Sequence, residues 1–305
     1  MDLPQRTRVY QNHHIDSTRW DRFQVRPDDI VIGTSLKAGT TWTQAIVANL
    51  LFPGRSFPAA VWELNPWIDF RGLPLDMILD GVEAQTHRRC VKTHLPLDAL
   101  RFFPEAKYIY VSRDGRDVAL SLWNHHRNYS EQAYAEANDT PGLVGDKFPQ
   151  PPATFQEYWR EWCTRGWFED EQDGYPFWSH LLNVQTWWEY RHLPNILMLH
   201  YGDMLADTPG AIARIAAFLD IEVDAAAIAA VTEEVSMGAM RKDADNYVPD
   251  GGSSWVGGAR TFLHKGVNGR WRDILTDPEL QLYEQACDRV LSPDCRHWLE
   301  HGGTV

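Results

Sequence analysis

The chain has 305 residues, which is enough for one large α/β domain or two smaller ones. Its 42 acidic side chains outnumber 29 basic ones, and the formal net charge of −13 argues against a general affinity for nucleic-acid backbones. The N-terminus has no signal-peptide core, and no run approaches ~18 consecutive apolar residues, so we expect a cytoplasmic protein without a membrane span. The four cysteines show no CxxC spacing, which indicates neither a disulfide framework nor a zinc site.

The first predicted unit is a strand, a loop and a helix. Residues 28–33 read as a short buried strand, and residues 40–52 have the apolar spacing of a helix that Pro53 ends. The loop between them contains Lys37 and Gly39. Free backbone N–H groups and the helix dipole attract anions at such a turn, so this loop predicts a phosphate-type ligand.

This loop differs from the ATP-binding Walker loop. Lys37 precedes Gly39 by two positions, and Gly33 and Gly39 are one residue too far apart for that motif. Thr40 and Thr41 add hydroxyl donors at the start of the helix. Taken alone, the segment also fits a glycine-containing turn with a solvated lysine.

The second predicted strand, 89–93, carries Lys92 and is followed by His94. Histidine is the usual side chain for accepting a proton near neutral pH, so His94 is a candidate general base. A structural histidine is the alternative reading.

The third strand, 107–112, is followed by a helix predicted to begin near Asp114. Arg113 stands at the carboxyl end of that strand, where ligands gather in open α/β sheets, and Ser121 follows about two helical turns later. For Arg116, a surface ion pair with the neighbouring aspartates explains the sequence as well as a functional role does.

The remaining pattern completes an α/β fold. A fourth strand at 195–200 precedes a helix at 208–219, whereas 129–175 and 243–258 lack regular spacing and are predicted to be long, lid-like loops. Strands that alternate with helices predict a mainly parallel sheet flanked by helices. We expect residues 1–305 to form a single domain.

A basic loop near the C-terminus offers a further anion site. Gly266 and Gly269 let backbone N–H groups approach an anion, and Lys265 adds a charge. By itself this pattern fits a flexible basic loop equally well.

Four motifs together resemble the cytosolic family of sulfotransferases that use 3′-phosphoadenosine 5′-phosphosulfate (PAPS), including its bacterial members. They are the stretches 37–42, 92–96, 113–121 and 265–266, in the family's order and spacing. The positions that match the family's cofactor contacts are Lys37, Gly39, Thr40, Thr41, Trp42, Arg113, Ser121, Tyr201, Ser236, Met240, Leu263, His264, Lys265 and Gly266.

The resemblance implies an α/β fold with a P-loop-like nucleotide-binding core. It also implies transfer of a sulfuryl group from PAPS to a hydroxyl of a small aromatic or lipophilic acceptor, without a metal. His94 matches the general base, Lys37 the residue at the leaving oxygen, and Lys92 the residue at the sulfuryl oxygens. Ser121 matches a residue that binds the 3′-phosphate and restrains Lys37. Several aromatic residues either line an acceptor pocket or pack the core, and we expect roughly half of them to be structural: Phe70, Phe155, Trp162, Trp167, Phe168, Phe177 and Trp178.

The chain departs from the family at two places. His264 stands where the family has arginine, which predicts a weaker 3′-phosphate contact because histidine has fewer donors and is not always charged. Residues 272–281 depart from the family's dimerisation pattern, with Asp277 in place of valine, and leave the oligomeric state open.

Two rival functions use the same loops. A nucleotide-dependent phosphotransferase would recruit Asp114 and Asp117 but leaves His94 unexplained. A non-catalytic binder of adenine nucleotides needs only the loops around Lys37, Arg113 and Lys265, which would hold the anionic groups of the ligand.

Overall fold

A computed structural model describes residues 2–305, and a parallel sheet lies at its centre. The strands are β1 Ile30–Thr34, β2 Cys90–Thr93, β3 Lys107–Ser112 and β4 Ile196–His200. Within this range the sheet has the order β2-β1-β3-β4, and each neighbouring pair is parallel. The predicted parallel sheet is confirmed, and its strands lie within two residues of the predicted bounds.

Helices surround the sheet. The longer ones are α1 Thr40–Leu51, α3 Leu75–Glu83, α4 Gly115–His126, α5 Glu131–Asp139, α6 Phe155–Thr164, α7 His180–Glu189, α9 Thr208–Phe218, α10 Ala225–Glu234, α14 Asp277–Val290 and α15 Pro293–His301. The shorter ones are α2 Val61–Leu64, α8 Tyr201–Ala206, α11 Met237–Lys242, α12 Ala244–Tyr247 and α13 Ala259–Phe262.

The strands are buried on both faces because successive side chains alternate between two hydrophobic cores. Ile30 and Ile32 belong to one core, and Val31 belongs to the other. Every residue of β1 is buried. Such continuous apolar runs are typical of parallel strands covered by helices on both sides.

The strand order positions the site. The chain leaves β1 for β2 on one side and then returns past β1 to β3 and β4 on the other side. Such a reversal leaves a crevice beyond the carboxyl ends of the strands where the connections diverge. The helices α1 and α4 begin just beyond β1 and β3, as the sequence predicted, and Asp114 caps α4 by accepting a hydrogen bond from the Arg116 N–H.

The prediction of one long loop at 129–175 is wrong, because α5 and α6 lie inside it. Thr154 and Glu157 form a reciprocal capping box at the start of α6. The aromatic residues that follow have helical spacing and are buried: Phe155, Tyr158, Trp159 and Trp162. The segment 243–258 contains the single turn α12 and a short 3-10 helix at Pro249–Gly252, and its remaining residues form tight turns.

No helix among residues 2–305 is both long and apolar enough to cross a membrane. The four cysteines are buried free thiols. In the same described range, no group of three or more histidine, cysteine or acidic side chains is arranged to hold a metal ion.

Candidate functional site

A cavity of about 850 Å³ opens at the carboxyl ends of β1 and β3. Every residue that the sequence assigned to catalysis or to cofactor contact lines this cavity. The motifs are spread over more than two hundred positions of the chain, so the fold brings them together.

The loop between β1 and α1 is shaped by two residues with positive φ. Lys37 has φ 62°, and Gly39, the N-cap of α1, has φ 121°. A Cβ at Gly39 would lie 2.8 Å from Cδ2 of Tyr201, so this position requires glycine for its conformation and for close packing. No side chain caps α1, and its first N–H groups remain available to an anion.

Two lysines bring positive charge to the cavity wall. Burial, then the charges of Arg113 and Lys92, lowers the pKa of Lys37 to about 8. Burial also lowers the pKa of Lys92 to about 8, although Asp69 opposes this shift. Both lysines are half-buried, so an anion in the cavity would interact with them more strongly than in water.

His94 is fixed in one tautomer by its hydrogen bonds. The residue is 6% exposed, and Nδ1 lies 3.0 Å from the carbonyl oxygen of Thr34, which can only accept, and 3.0 Å from the Thr34 hydroxyl oxygen, which can also accept. Nδ1 therefore carries the proton and Nε2 carries a lone pair. Burial, then the charge of Lys92, lowers the pKa of His94 to about 3, so the imidazole is neutral at physiological pH. Trp178 anchors the backbone by donating to the His94 carbonyl at 2.8 Å.

Arg113 links the third strand to the basic loop. Its guanidinium donates to Asn268 Oδ1 and to the Val267 carbonyl, both at 2.8 Å, and lies 4.6 Å from the centre of the Tyr201 ring. Asp117 accepts from the N–H of Gly269 at 2.9 Å. These contacts hold the basic loop against α4, the helix that also carries Ser121.

Two aromatic rings form one end of the cavity. Trp42 and Tyr201 meet edge to face with centroids 5.4 Å apart, and Trp42 Nε1 donates to the Val235 carbonyl at 3.0 Å. Ser236 and Met240, from α11 and its N-cap, line the same cavity. The arrangement provides an apolar surface for a flat ring system.

Some sequence interpretations differ from the observed contacts. Lys37 is not joined to Ser121 by a hydrogen bond in the described residues; its ammonium lies 3.4 Å from His125 Nδ1 and 4.7 Å from the centre of the Phe262 ring. Arg116 pairs with Asp114 at 2.7 Å, so the ion-pair reading of Arg116 is confirmed.

Of the proposed aromatic lining, only Phe70 and Phe177 belong to the cavity wall in the described structure. Phe155, Trp162 and Trp178 are buried in the core. The sequence analysis missed several residues that line the cavity: His13, His14, Trp67, His125, Tyr129, Trp255 and Arg270. Arg270 directly follows Gly269 of the basic loop and could have been found there, whereas the others have no local motif.

Comparison with known proteins assigns the family. The model described as "Sulfotransferase domain" matches residues 27–293. The chain belongs to the sulfotransferase family. It is 30% identical over 308 residues to a glycolipid sulfotransferase of Mycobacterium bovis, covering 96% of this chain and 94% of the relative. The family membership and the enzyme class that the motifs implied are therefore confirmed.

Two solved structures share the fold of this sulfotransferase. A mouse sulfotransferase complexed with PAP has a TM-score of 0.69 at 21% identity, covering 92% of this chain and 91% of the other. Retinol dehydratase in complex with retinol and PAP has a TM-score of 0.67 at 24% identity, covering 90% and 84%. The predicted α/β class is confirmed.

Proposed function

We propose that this sulfotransferase transfers a sulfuryl group from PAPS to a hydroxyl of a small neutral acceptor, with His94 as general base. The observation that carries the proposal is that the free Nε2 of His94 and the ammonium groups of Lys37 and Lys92 line one cavity. A base for a hydroxyl proton and cations for a charged group are thus available at one place.

The residues fit PAPS at each of its charged ends. The N-terminus of α1 and Lys37 suit the 5′-phosphosulfate, while Arg113 and Ser121 suit the 3′-phosphate. The aromatic end at Trp42 and Tyr201 suits the adenine. The two structural neighbours that were solved with PAP support this assignment.

PAPS supplies the sulfuryl group and leaves as adenosine 3′,5′-bisphosphate (PAP). His94 Nε2 accepts the proton of the attacking hydroxyl, and Lys37 stabilises negative charge at the leaving phosphate oxygen. Lys92 neutralises charge on the sulfuryl oxygens. Positioned lysines thereby provide the charge that Mg²⁺ provides in phosphoryl transfer, so our proposal needs no metal.

Arg270 adds a cation where His264 replaces the family's arginine. Burial, then the charges of Arg270 and Lys265, lowers the pKa of His264, so this imidazole is uncharged at neutral pH. Arg270 lines the same cavity and is close enough to act on that pKa. We therefore assign to Arg270 part of the positive charge that His264 does not provide.

The acceptor end is predominantly apolar. Trp67 and Phe70 stack with centroids 4.9 Å apart, and the edge of His94 meets Trp67 at 4.7 Å. Met77 and Ile78 continue this wall. The relatives named for glycolipid and for retinol support a lipophilic alcohol as the acceptor class.

Arg113→Ala tests the cofactor assignment. Charge-assisted hydrogen bonds contribute roughly 1.5–3 kcal/mol each, so we expect PAPS to bind about 10- to 100-fold more weakly. Adenosine 5′-phosphosulfate, which lacks the 3′-phosphate, should lose much less. The matched control is Arg116→Ala, because Arg116 is outside the cavity lining and pairs with Asp114.

Calorimetry gives both affinities, and transfer of label from PAPS to octyl β-glucoside gives the activity. An equal loss for both nucleotides would mean that Arg113 acts only through the fold. Tight binding of PAP without transfer to any hydroxyl acceptor would instead support the non-catalytic binder.

A further inference from the structure

Two consecutive histidines, His13 and His14, line the cavity close to Phe70, with which Ile15 pairs, and their hydrogen bonds determine both tautomers. His13 Nε2 lies 3.0 Å from the carbonyl oxygen of Pro176. A carbonyl only accepts, so Nε2 of His13 carries the proton. Because burial holds the pKa of His13 well below its usual value, this ring is neutral and its Nδ1 carries a lone pair.

The tautomer of His14 follows from that of His13. Nδ1 of His14 is hydrogen-bonded to Nδ1 of His13. Since the His13 atom accepts, Nδ1 of His14 must carry the proton and donate it. Burial, then the neighbouring charges of His126 and Arg71, lowers the pKa of His14 to about 3, so this ring is neutral as well. Nε2 of His14 is therefore a hydrogen-bond acceptor.

The backbone around His14 is held in place. Asn12 Oδ1 accepts from the N–H of His14 at 2.9 Å and from that of Ile15 at 3.1 Å. The carbonyl of His14 accepts from the N–H of Arg71 at 2.8 Å. The direction of the imidazole is thus set before any ligand arrives.

Nε2 of His14 is accessible to solvent and has no hydrogen-bond partner among the described residues. The residue is 7% exposed, and within residues 2–305 no hydrogen bond reaches this atom. Solvent can reach Nε2, and His14 lines the same cavity as His94. A largely buried acceptor without a donor costs free energy, which a ligand hydroxyl would recover.

Tyr129 adds a second polar group beside it. The rings of His14 and Tyr129 are nearly parallel, at 22°, with centroids 6.1 Å apart, and both residues line the cavity. Phe148 and Phe177 pack against the His14 ring at centroid distances of 4.7 and 5.5 Å. Polar contacts are sparse in these surroundings, so each one has a large effect on selectivity.

We propose that His14 Nε2 accepts a hydrogen bond from a second hydroxyl of the acceptor, beside the Tyr129 hydroxyl, so that the site selects neutral lipophilic molecules with two or more hydroxyls. The inference rests on the proposed function, in which the first hydroxyl faces His94. A site built to hydrogen-bond a hydroxyl discriminates strongly against an analogue that lacks it, because the buried polar atom is then left unpaired.

The test uses octyl β-glucoside and its monodeoxy analogues as acceptors. One analogue, which lacks the reacting hydroxyl, should give no product. We expect a second analogue to lose roughly 10-fold in kcat/KM with the wild-type enzyme, as for one hydrogen bond to a buried acceptor. His14→Leu should abolish that discrimination, whereas His14→Gln, which keeps an acceptor oxygen, should retain part of it.

His126→Leu is the matched control. This histidine is also buried and packs on Phe148 and Phe177 but is not part of the cavity lining. It should leave the discrimination unchanged. Thermal denaturation of each variant tests folding. If His14→Leu fails to fold, the wild-type analogue series can still refute the inference, and His14→Gln remains the variant that tests the role of His14.

Two results would overturn the inference: equal kcat/KM for all reactive analogues with the wild-type enzyme, or undiminished discrimination in a folded His14→Leu enzyme. PAP affinity is measured in parallel by calorimetry. If the wild-type protein does not bind PAP, or transfers no sulfuryl group to any hydroxyl acceptor, that result counts against the proposed function instead.

Discussion

Replacing His94 by asparagine separates catalysis from cofactor binding. The asparagine amide can still donate to the Thr34 carbonyl, as Nδ1 does at 3.0 Å, but it offers no basic lone pair in place of Nε2. General-base catalysis contributes about 10²- to 10⁴-fold, or roughly 2.7–5.5 kcal/mol at 1.36 kcal/mol for each factor of ten. We therefore expect kcat for a neutral alcohol to fall by that factor.

The affinity for PAP should stay within about threefold of the wild type, because His94 is neutral and its replacement removes no charge from the cavity. The same neutrality shapes the pH profile. Burial and the nearby Lys92 lower the pKa of His94 to about 3, so its lone pair is present throughout the physiological range. We expect kcat/KM to stay flat from about pH 7 down to about pH 5, well below the ordinary titration of histidine.

Calorimetry with PAP and initial rates with octyl β-glucoside on the same preparation provide the measurement. His126→Asn serves as the control, since His126 is buried outside the cavity lining. An unchanged rate in His94→Asn would make His94 a structural histidine, and lost PAP binding would make its role the organisation of the site. Either result refutes the reasoning.

Three further predictions concern the anion-binding side. Raising the pH through about 8 should weaken PAP binding, because the pKa values of Lys37 and Lys92 are lowered to about 8 and both charges are lost there; calorimetry at several pH values would detect a constant affinity if this is wrong. Gly39→Ala should lower the free energy of unfolding by about 1–3 kcal/mol and so lower the melting temperature, since φ of Gly39 is 121° and the new Cβ would lie 2.8 Å from Tyr201. An unchanged melting curve would contradict this. His264→Arg should tighten PAP binding by roughly 3- to 10-fold through new charge-assisted hydrogen bonds, and equal dissociation constants would show that the replacement costs nothing.

The elements around the anion loops could be predicted because their signals are local. Glycine and proline mark the ends of short apolar strands, and the apolar residues of α1 recur at helical spacing within the helix itself. The missed helix α6 also has a local signal, the capping box of Thr154 and Glu157. The sequence leaves open whether two of its aromatic residues, Phe155 and Trp162, line a pocket or pack a core, and tertiary packing buries both in the core.

The acceptor end could not be predicted in the same way. His14 reaches the cavity through contacts distant in sequence, including the pairing of Ile15 with Phe70 and the hydrogen bond from Arg71. Tyr129 lies between α4 and α5, where it pairs with Trp255. No spacing along the chain indicates that these side chains meet, because their proximity is created by packing and not by a motif.

Tyr201 joins the loop between β1 and α1 to the basic loop, and this constrains how the sequence can diverge. Its ring fills the space that a side chain at position 39 would need, and its hydroxyl donates to the carbonyl of Gly266 at 3.1 Å. Gly266 has φ 66°, and a Cβ there would lie 2.5 Å from Met237 Cε. Positions 39 and 201 therefore cannot vary independently. A larger residue at position 39 requires a smaller one at position 201, and without the tyrosine the hydrogen bond to the carbonyl of Gly266 is lost as well.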